Sequence, residues 1–205
     1  MRKTVVENHN RYLEREALYK SFGYDVEKER VSIIEQARPL RGKILEAGTG
    51  KGHFALALAK QGHKFTTFDI SEKEQKFARL NLEYFGLSHL ADFRIENGEH
   101  LSFKDKSFDV IFSVNTIHHL LNPYKFIDQL TRALSSEGKI ILSDFNKKGF
   151  KIMEKIHATE GKKHEVGKTT LPDINKYLKS RGFNIKKHRT NFQEISVAYY
   201  KAMKK

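Results

Sequence analysis

Apolar residues along the chain follow two spacings, one typical of helices and one typical of short strands. The segments 7–20 and 25–37 carry apolar residues three or four positions apart and predict two N-terminal helices. After residue 38, short apolar runs alternate with helical patterns. The runs predict strands at 43–47, 64–69, 91–95, 108–114 and 138–144, with helices at 52–60, 72–85 and 122–134. This alternation favours a parallel sheet with helices on both faces.

The C-terminal part predicts a different strand pairing. Helices at 148–159 and 171–180 precede two strand patterns, 183–188 and 192–200, which are joined by a short turn. A connection this short permits only antiparallel pairing. The expected fold is therefore α/β: a Rossmann-like, doubly wound, mostly parallel sheet of seven strands that ends in an antiparallel β-hairpin.

The length of 205 residues predicts a single domain. Within it we expect an N-terminal helical lid (1–38), a ligand-binding core (39–145) and a C-terminal part with helices and the strand pair (146–205).

Three glycines alternate directly after the first predicted strand, in the run Gly48-Thr49-Gly50-Lys51-Gly52. Glycine lets the chain turn tightly and approach a ligand without a Cβ in the way. Glu46 precedes this loop. Asp69 ends the next predicted strand, where a carboxylate can accept hydrogen bonds from ribose hydroxyls. The pattern predicts a nucleoside pocket.

The glycine pattern alone leaves the class of nucleoside open. Counted from Gly50, the dinucleotide pattern G-x-G-x-x-A is completed by Ala55, which is compatible with a dehydrogenase. A P-loop is excluded, because Gly52 rather than Ser or Thr follows Lys51. Glu46 lies close to where a pyrophosphate would bind, and a carboxylate there repels phosphate but suits a cationic aminoacyl sulfonium. This favours a sulfonium ligand over a dinucleotide. The antiparallel hairpin also counts against a dehydrogenase, because ordinary dinucleotide dehydrogenases have a wholly parallel sheet there.

Five segments, in order, resemble the motifs of the class I S-adenosylmethionine (SAM) methyltransferase family. Residues 46–52 (EAGTGKG) resemble its motif I. The others are 65–71 (FTTFDIS), with the ribose-binding acid; 93–103 (FRIENGEHLSF), with the adenine loop; 108–120 (FDVIFSVNTIHHL); and 138–144 (GKIILSD). The resemblance covers residues 40–145 well and the C-terminal strand pair more loosely. It implies transfer of a methyl group from SAM to a small-molecule acceptor by in-line displacement, with S-adenosylhomocysteine as product, as in the ubiquinone and menaquinone biosynthesis branch.

The resemblance also implies a set of cofactor contacts. The glycine loop and Glu46 would hold the methionyl part, Asp69 the ribose, and Asn97 with Gly98 the adenine. The complete set of implied cofactor-binding residues is Glu46, Gly48, Thr49, Gly50, Gly52, Asp69, Ile70, Asn97, Gly98 and Asn115. The adenine loop commonly reads Asp-Ala in the family. Asn97 keeps a carbonyl acceptor and Gly98 an N–H donor, although an ordinary Asn-Gly turn is the alternative interpretation.

His118 and His119 follow the fourth predicted strand and are the candidate catalytic residues. Either could act as a general base toward an acceptor hydroxyl or amine, and the alternative is that one of them packs or caps a helix. A metal site is not predicted. His157, Glu160 and His164 have helical spacing and could in principle bind a metal ion. Gly161 is expected to break the helix between Glu160 and His164.

The net charge of +13 favours one alternative, a methyltransferase that acts on RNA or a ribosomal protein. The basic residues are spread over several predicted elements and do not form one stripe. We therefore prefer a small-molecule acceptor over a nucleic-acid partner. A SAM-binding protein without transferase activity is a further alternative. The chain has no cysteine, which excludes base methylation through its own thiolate nucleophile and a cysteine-held iron–sulfur cluster. Neither a signal peptide nor a membrane span is apparent, and a cytoplasmic location is expected.

Overall fold

The computed structural model describes residues 1–161, 163 and 166–200. In this part of the chain seven strands form a single sheet. They are β1 (Ile44–Ala47), β2 (Phe65–Asp69), β3 (Ala91–Ile95), β4 (Phe108–Val114), β5 (Leu134–Phe145), β6 (Phe183–Arg189) and β7 (Gln193–Tyr200). The order across the sheet is β3-β2-β1-β4-β5-β7-β6. Strands β1 to β5 pair in parallel, and β7 pairs antiparallel with β5 and β6. The predicted fold class is confirmed.

Helices cover both faces of the sheet. Within the described residues they are α1 (Lys3–Ser21), α2 (Val26–Gln36), α3 (His53–Lys60), α4 (Glu72–Tyr84), α5 (Pro123–Ala133), α6 (Lys147–Thr159) and α7 (Leu171–Ser180). Helices α2 and α3 pack on the face that holds Phe112, whereas α5 and α7 pack on the face that holds Ile111. Neighbouring residues of a strand point to opposite faces, so β4 contributes to both cores.

Two elements begin four residues earlier than predicted. Helix α1 begins at Lys3, four residues earlier than predicted. Its first turns have a packing role, since Val5 is buried and Asn8 donates a hydrogen bond of 2.7 Å to Asn81 of α4. Strand β5 begins at Leu134 rather than 138. Leu134 pairs with Phe108 ahead of a register shift in β4, and this irregularity lets the pairing start early.

Side-chain caps fix where several of the helices begin, α2 and α4 among them. Asp25 accepts a hydrogen bond of 3.0 Å from the Lys28 N–H at the start of α2. Ser71 accepts one of 3.2 Å from the Glu74 N–H at the start of α4. Since Ser71 comes two residues after Asp69, this cap places the start of α4 beside the end of β2.

The turn between α1 and α2 lies near the carboxyl ends of the strands. Tyr24, in this turn, is buried against Phe145 at the end of β5 and against Phe192, and α6 adds Met153 and Ile156 to the same cluster. This packing brings the N-terminal helices next to the edge where the predicted site lies. Their role as a lid remains a prediction.

None of the helices in the described ranges combines the length and the apolar character needed to span a membrane.

Candidate cofactor and acceptor site

The parallel strands end at one edge of the sheet, and the residues at these ends form the candidate site. Asn97 follows β3, Asp69 ends β2, Gly48 follows β1, Asn115 follows β4, and Asp144 lies near the end of β5. Ligands of open α/β sheets bind at this edge, where the strand order reverses. The reversal here lies between β1 and β4. The structure therefore brings the predicted residues into one row, in the order given by the sheet.

The three loop glycines adopt backbone conformations that disfavour a side chain. The angle φ is +93° at Gly48, +49° at Gly50 and +83° at Gly52, a region that L residues rarely adopt. A Cβ at Gly48 would overlap the side chain of Thr116, and one at Gly52 would lie 2.5 Å from the Ala78 Cβ. Around Gly50 nothing lies within 4 Å of the Cβ position. The loop is therefore held closely on two sides and open at its centre.

Asp69 connects the glycine loop to β2. Its Oδ2 accepts a hydrogen bond of 2.8 Å from the Gly50 N–H, and its Oδ1 accepts one of 2.9 Å from the Ser71 N–H. An ionised carboxylate can accept about four hydrogen bonds, so each oxygen still has capacity for a ligand hydroxyl. The predicted ribose contact is compatible with this additional role of Asp69 in fixing the loop.

Two apolar side chains beside Asp69 face the solvent. Ile70 is 69% exposed and Ile95 is 51% exposed, and Ile95 lies opposite Asp69 in the pairing of β2 with β3. A pair of exposed apolar residues next to a carboxylate suits the flat face of a base attached to a ribose. Ile70 was among the predicted residues. Ile95 was not, although its place at the end of a predicted strand was a usable signal.

Glu46 lies beneath the glycine loop and is 1% exposed. Its Oε2 accepts a hydrogen bond of 2.6 Å from the Thr67 hydroxyl, and Thr67 in turn is 2.6 Å from the Thr49 hydroxyl. Burial, reinforced by the charge of Asp69, raises the pKa of Glu46 to about 8, although the Thr67 hydrogen bond and the charge of Arg30 oppose the shift. At neutral pH the carboxyl group is therefore mostly protonated. A cation brought close to it would favour the ionised form.

The adenine loop forms a compact turn. The Asn97 side-chain oxygen accepts a hydrogen bond of 2.9 Å from the Glu99 N–H, and its backbone carbonyl accepts one of 2.8 Å from the His100 N–H. A Cβ at Gly98 would lie 2.5 Å from the Phe126 ring. This contact explains why glycine replaces the alanine that is common in the family. The structure therefore contains the Asn-Gly turn. Contact of adenine with the hydrogen-bonding groups of Asn97 that remain available stays a prediction.

Asn115 belongs to a buried polar network between α2, β4 and β7. Its φ is +54°, a conformation that Asn tolerates better than most residues. The amide orientation is assigned from the hydrogen bonds. Its carbonyl accepts from both terminal nitrogens of Arg30, at 2.9 and 3.2 Å, and its nitrogen donates to Gln193 Oε1 at 2.8 Å. Gln193 also accepts from the Ser143 hydroxyl and donates to the Tyr24 hydroxyl. Sequence reasoning missed Arg30, because its position within the predicted helix 25–37 gives no local sign of this contact.

His118 and Asp144 form a buried pair. The His118 Nδ1 lies 2.6 Å from Asp144 Oδ1, and both residues are almost fully buried. The ring of His119 lies against that of His118, with 4.0 Å between the centroids. Desolvation, with the neighbouring His118 adding to it, lowers the pKa of His119 to about 4. His118 therefore has the carboxylate partner expected of an oriented base, whereas His119 is neutral above that pH.

The sequence carried a signal for this pair. Asp144 follows Ser143, which pairs with Val114 of β4. The carboxyl ends of adjacent parallel strands lie side by side, so an acid at this point of β5 is expected near the residues that follow β4.

The segment with His157 and Glu160 contains no metal cluster within the described residues. Glu160 forms an ion pair with Arg15 of α1. His164, the third residue of the segment considered above, lies outside the described residues.

A groove of about 520 Å³ runs between α1 and α4 beside the glycine loop. Arg11 and Tyr12 line it on one side, Lys73 and Phe77 on the other, and Lys51 of the loop also contributes. Burial raises the pKa of the Tyr12 phenol. The lining does not include the ends of β2 and β3, so the groove adjoins the row of predicted residues rather than containing it.

Comparisons with known proteins agree with this architecture. Residues 45–142 match the family described as a methyltransferase domain. The uncharacterized protein MJ1123 of Methanocaldococcus jannaschii is 31% identical over 188 residues, which cover 89% of this chain and 80% of that protein. The chain belongs to the class I SAM-dependent methyltransferase family.

Two further comparisons show how far the likeness extends. The mitochondrial ubiquinone biosynthesis O-methyltransferase of Arabidopsis thaliana is 29% identical over 112 residues, 54% of this chain. The match spans only 35% of the length of that enzyme. A SAM-dependent methyltransferase from Aquifex aeolicus has the same fold, with a TM-score of 0.64 and 18% identity, over 82% of this chain and 88% of that one.

Proposed function

We propose that the protein binds SAM along the carboxyl edge of the sheet and transfers its methyl group to a small-molecule acceptor. SAM is a linear molecule in which adenine, ribose, sulfonium and aminoacyl group follow one another. The candidate residues have the same order across the sheet: the Asn97 turn at β3, Asp69 at β2, and the glycine loop with Glu46 at β1. This row of residues is the observation that carries the proposal.

The charge of the site suits a sulfonium better than a dinucleotide. Two carboxyl groups, Asp69 and Glu46, lie at the ends of the adjacent strands β2 and β1, with the glycine loop above them. A pyrophosphate placed on this loop would be repelled by the charge of Asp69 and would further disfavour ionisation of Glu46. The cationic sulfonium and ammonium groups of SAM would instead be attracted to Asp69 and would favour the ionised form of Glu46.

The acceptor is proposed to lie next to the methyl group, toward β4 and β5. There the His118–Asp144 pair can serve as the base. The acceptor hydroxyl gives its proton to the His118 Nε2, its oxygen attacks the methyl carbon, and the carbon–sulfur bond breaks to leave S-adenosylhomocysteine. Asp144 would hold the imidazole and stabilise its charged form. Because the His118 ring is buried against Phe150 of α6, α6 must shift to admit the acceptor.

The choice of a hydroxylated small molecule is supported by the O-methyltransferase relatives. A direct test is transfer of a labelled methyl group from SAM to a panel of phenols and other small hydroxylated acceptors. At least one member should be methylated, and His118→Asn should lower the turnover on it by about 10² to 10⁴ while SAM affinity stays the same. SAM binding without transfer to any acceptor of the panel or of a cell extract would refute catalysis.

A second candidate, an RNA acceptor, is favoured by where the charge lies. Eleven of the thirteen net positive charges fall after residue 145, where 16 Lys and Arg residues accompany five acidic ones. Lys147, Lys151 and Lys155 are exposed and follow one another at intervals of one turn along α6. If RNA were the acceptor, log affinity for bulk RNA would fall steeply and linearly with log salt concentration. Weak binding with little salt dependence would leave the small-molecule proposal in place.

A further inference from the structure

A separate cavity lies at the same edge of the sheet as the candidate site. It has a volume of about 330 Å³ and lies between the first turns of α7, the end of β6 and the start of β7. This volume is near the lower limit for ligand pockets, so the cavity suits one small ligand unit. Asp144 of β5 pairs with Glu194 of β7, which in turn pairs with Arg189 of β6. Neighbouring strands lie about 4.8 Å apart, so the Arg189 backbone lies about 10 Å from that of Asp144.

Asn175 is a buried polar group of this cavity. It lies on α7, is 5% exposed and lines the cavity. Its Oδ1 accepts no hydrogen bond from any of the described residues. A buried amide oxygen without a donor destabilises the folded state, and such atoms are rare in native proteins. A ligand that brings a donor into the cavity would satisfy this atom.

The rim of the cavity is basic. Lys187 and Arg189 are exposed and line it. They lie two and four residues after Ile185, which packs with α7, so all three lie on the same face of β6. Glu194 is the acid of the lining. Two permanent cations against one carboxylate favour an anionic group at this rim.

The two features together indicate a nucleotide. An asparagine amide pairs with the edge of adenine, because Oδ1 accepts from the 6-amino group and Nδ2 donates to N7. Leu171 and Pro172 give the cavity an apolar wall for the face of the base. A phosphate on the ribose carries the negative charge that the rim favours. We propose that this cavity binds an adenine nucleotide, with its base on Asn175 and its phosphate at Lys187 and Arg189.

A simple anion fits the cavity less well than a nucleotide. The start of α7 has few donors left, because Pro172 has no N–H and the N–H groups of Asp173 and Ile174 donate to the Thr170 carbonyl. The Asp173 carboxylate also lies at this helix start. The buried Oδ1 of Asn175 would repel an anion. A nucleotide instead brings a donor to Asn175 and keeps its charge at the rim.

The test of the base contact uses two ligands that differ at one group, AMP and IMP, in which a carbonyl replaces the 6-amino group. Saturating S-adenosylhomocysteine is present, so that the proposed cofactor site is filled. Calorimetric titration of the wild-type protein at low salt should show that AMP binds about tenfold more tightly than IMP, or better. Asn175→Ala should bring this ratio close to one. Asn184→Ala, at the other end of β6, is the matched control and should keep it.

The ratio is measured on one protein, so a partial loss of folded protein affects both ligands alike. Should Asn175→Ala not fold, Asn175→Leu, which keeps the side-chain volume, is judged by the same ratio.

A second ratio tests the basic rim. AMP should bind the wild-type protein about tenfold more tightly than adenosine at low salt, and the double variant Lys187→Gln/Arg189→Gln should bring this ratio close to one. The matched control is Lys176→Gln/Lys179→Gln, which removes two exposed charges of α7 that do not line the cavity. It should keep the wild-type ratio.

A short single-stranded oligoadenylate distinguishes the two sources of the nucleotide. Binding of the strand about tenfold more tightly than AMP, with an affinity that falls steeply with salt, would assign the cavity to a unit of RNA. Equal or weaker binding of the strand than of AMP would assign it to a free nucleotide.

Two results would overturn the proposal. One is a wild-type protein that binds neither AMP nor the oligoadenylate. The other is a preference for AMP over IMP that survives in the Asn175 variants, because the base would then be bound elsewhere. Titration of SAM on the same protein reports on the proposed function separately, so the failure of one leaves the other to its own test.

Discussion

Binding of SAM should displace a proton from Glu46. The carboxyl group is buried and its pKa is raised to about 8, so at pH 7 roughly 0.9 of the molecules carry the proton in the ligand-free state. If the ammonium group of SAM lies against Glu46, the ionised form is favoured in the complex. Binding should then release roughly 0.9 proton per ligand at pH 7 and only about 0.1 at pH 9, where the group is already ionised.

Proton release is measured by calorimetric titration in buffers of different ionisation enthalpy. The slope of the observed enthalpy against the buffer enthalpy gives the number of protons released. Glu46→Gln should abolish the pH-dependent part of this number and weaken SAM binding, since the amide is neutral at every pH. A wild-type value near zero at pH 7, or the same value in Glu46→Gln, would refute the assignment.

The same shift predicts how Glu46 affects the stability of the ligand-free protein. In the unfolded chain the group ionises near its ordinary pKa of 4.5, but in the folded chain near 8. Between these values the folded state binds more protons, so the Glu46 contribution to stability is lost as pH rises through this window, by at most about 1.4 kcal/mol per pH unit. Urea unfolding of wild type and Glu46→Gln at pH 5 and pH 8 measures this difference. An equal pH dependence in both proteins would contradict the shift.

Three further substitutions test separate parts of the account. Asp69→Ala removes the ribose acceptor and the anchor of the glycine loop, and SAM affinity should fall at least tenfold, about 1.4 kcal/mol, in a calorimetric titration; unchanged affinity would refute that assignment. Gly52→Ala adds a clash to an unfavourable φ and should lower the free energy of unfolding in urea by about 2 kcal/mol or more. Gly62→Ala is the control, because Gly62 has a φ of +78° but open space around its Cβ position. It should lose only the stability that corresponds to backbone strain, and an equal loss of unfolding free energy in both variants would exclude the clash as the cause. Asp144→Asn should slow methyl transfer, because His118 loses the carboxylate that orients it, while SAM affinity stays unchanged. An unchanged pH–rate profile would count against a catalytic role of the His118–Asp144 pair.

The sequence predicted most of the fold, because local patterns report strongly on this architecture. Short apolar runs, helical spacing and turn residues recur at almost every boundary, and the strands 91–95 and 108–114 were located to the residue. The exceptions depend on distant partners. Leu134 belongs to β5 because Phe108 pairs with it across a register shift, and the early start of helix α1 coincides with the contact of Arg2 with Glu83 of α4. Neither contact leaves a trace in the local pattern.

The sequence predicted the residues of the candidate site and their order along the chain. It did not predict the contacts between site residues that are distant in sequence. Glycines with positive φ and acids at strand ends are tied to single positions, and a linear sequence shows them. The pairing of His118 with Asp144, and the approach of Arg30 to Asn115, join residues far apart in the chain. Arg30 in particular lies on a helix whose pattern also fits a solvated charge. Its burial becomes visible only when α2 is packed against the sheet.

Calorimetric binding of SAM and S-adenosylhomocysteine, with NAD as the control ligand, tests the central claim most directly. The order of residues along the sheet edge predicts micromolar binding of both adenosyl ligands and none of NAD. Binding of NAD without SAM would instead mean that Gly50, Gly52 and Ala55 hold a dinucleotide, and would contradict the account.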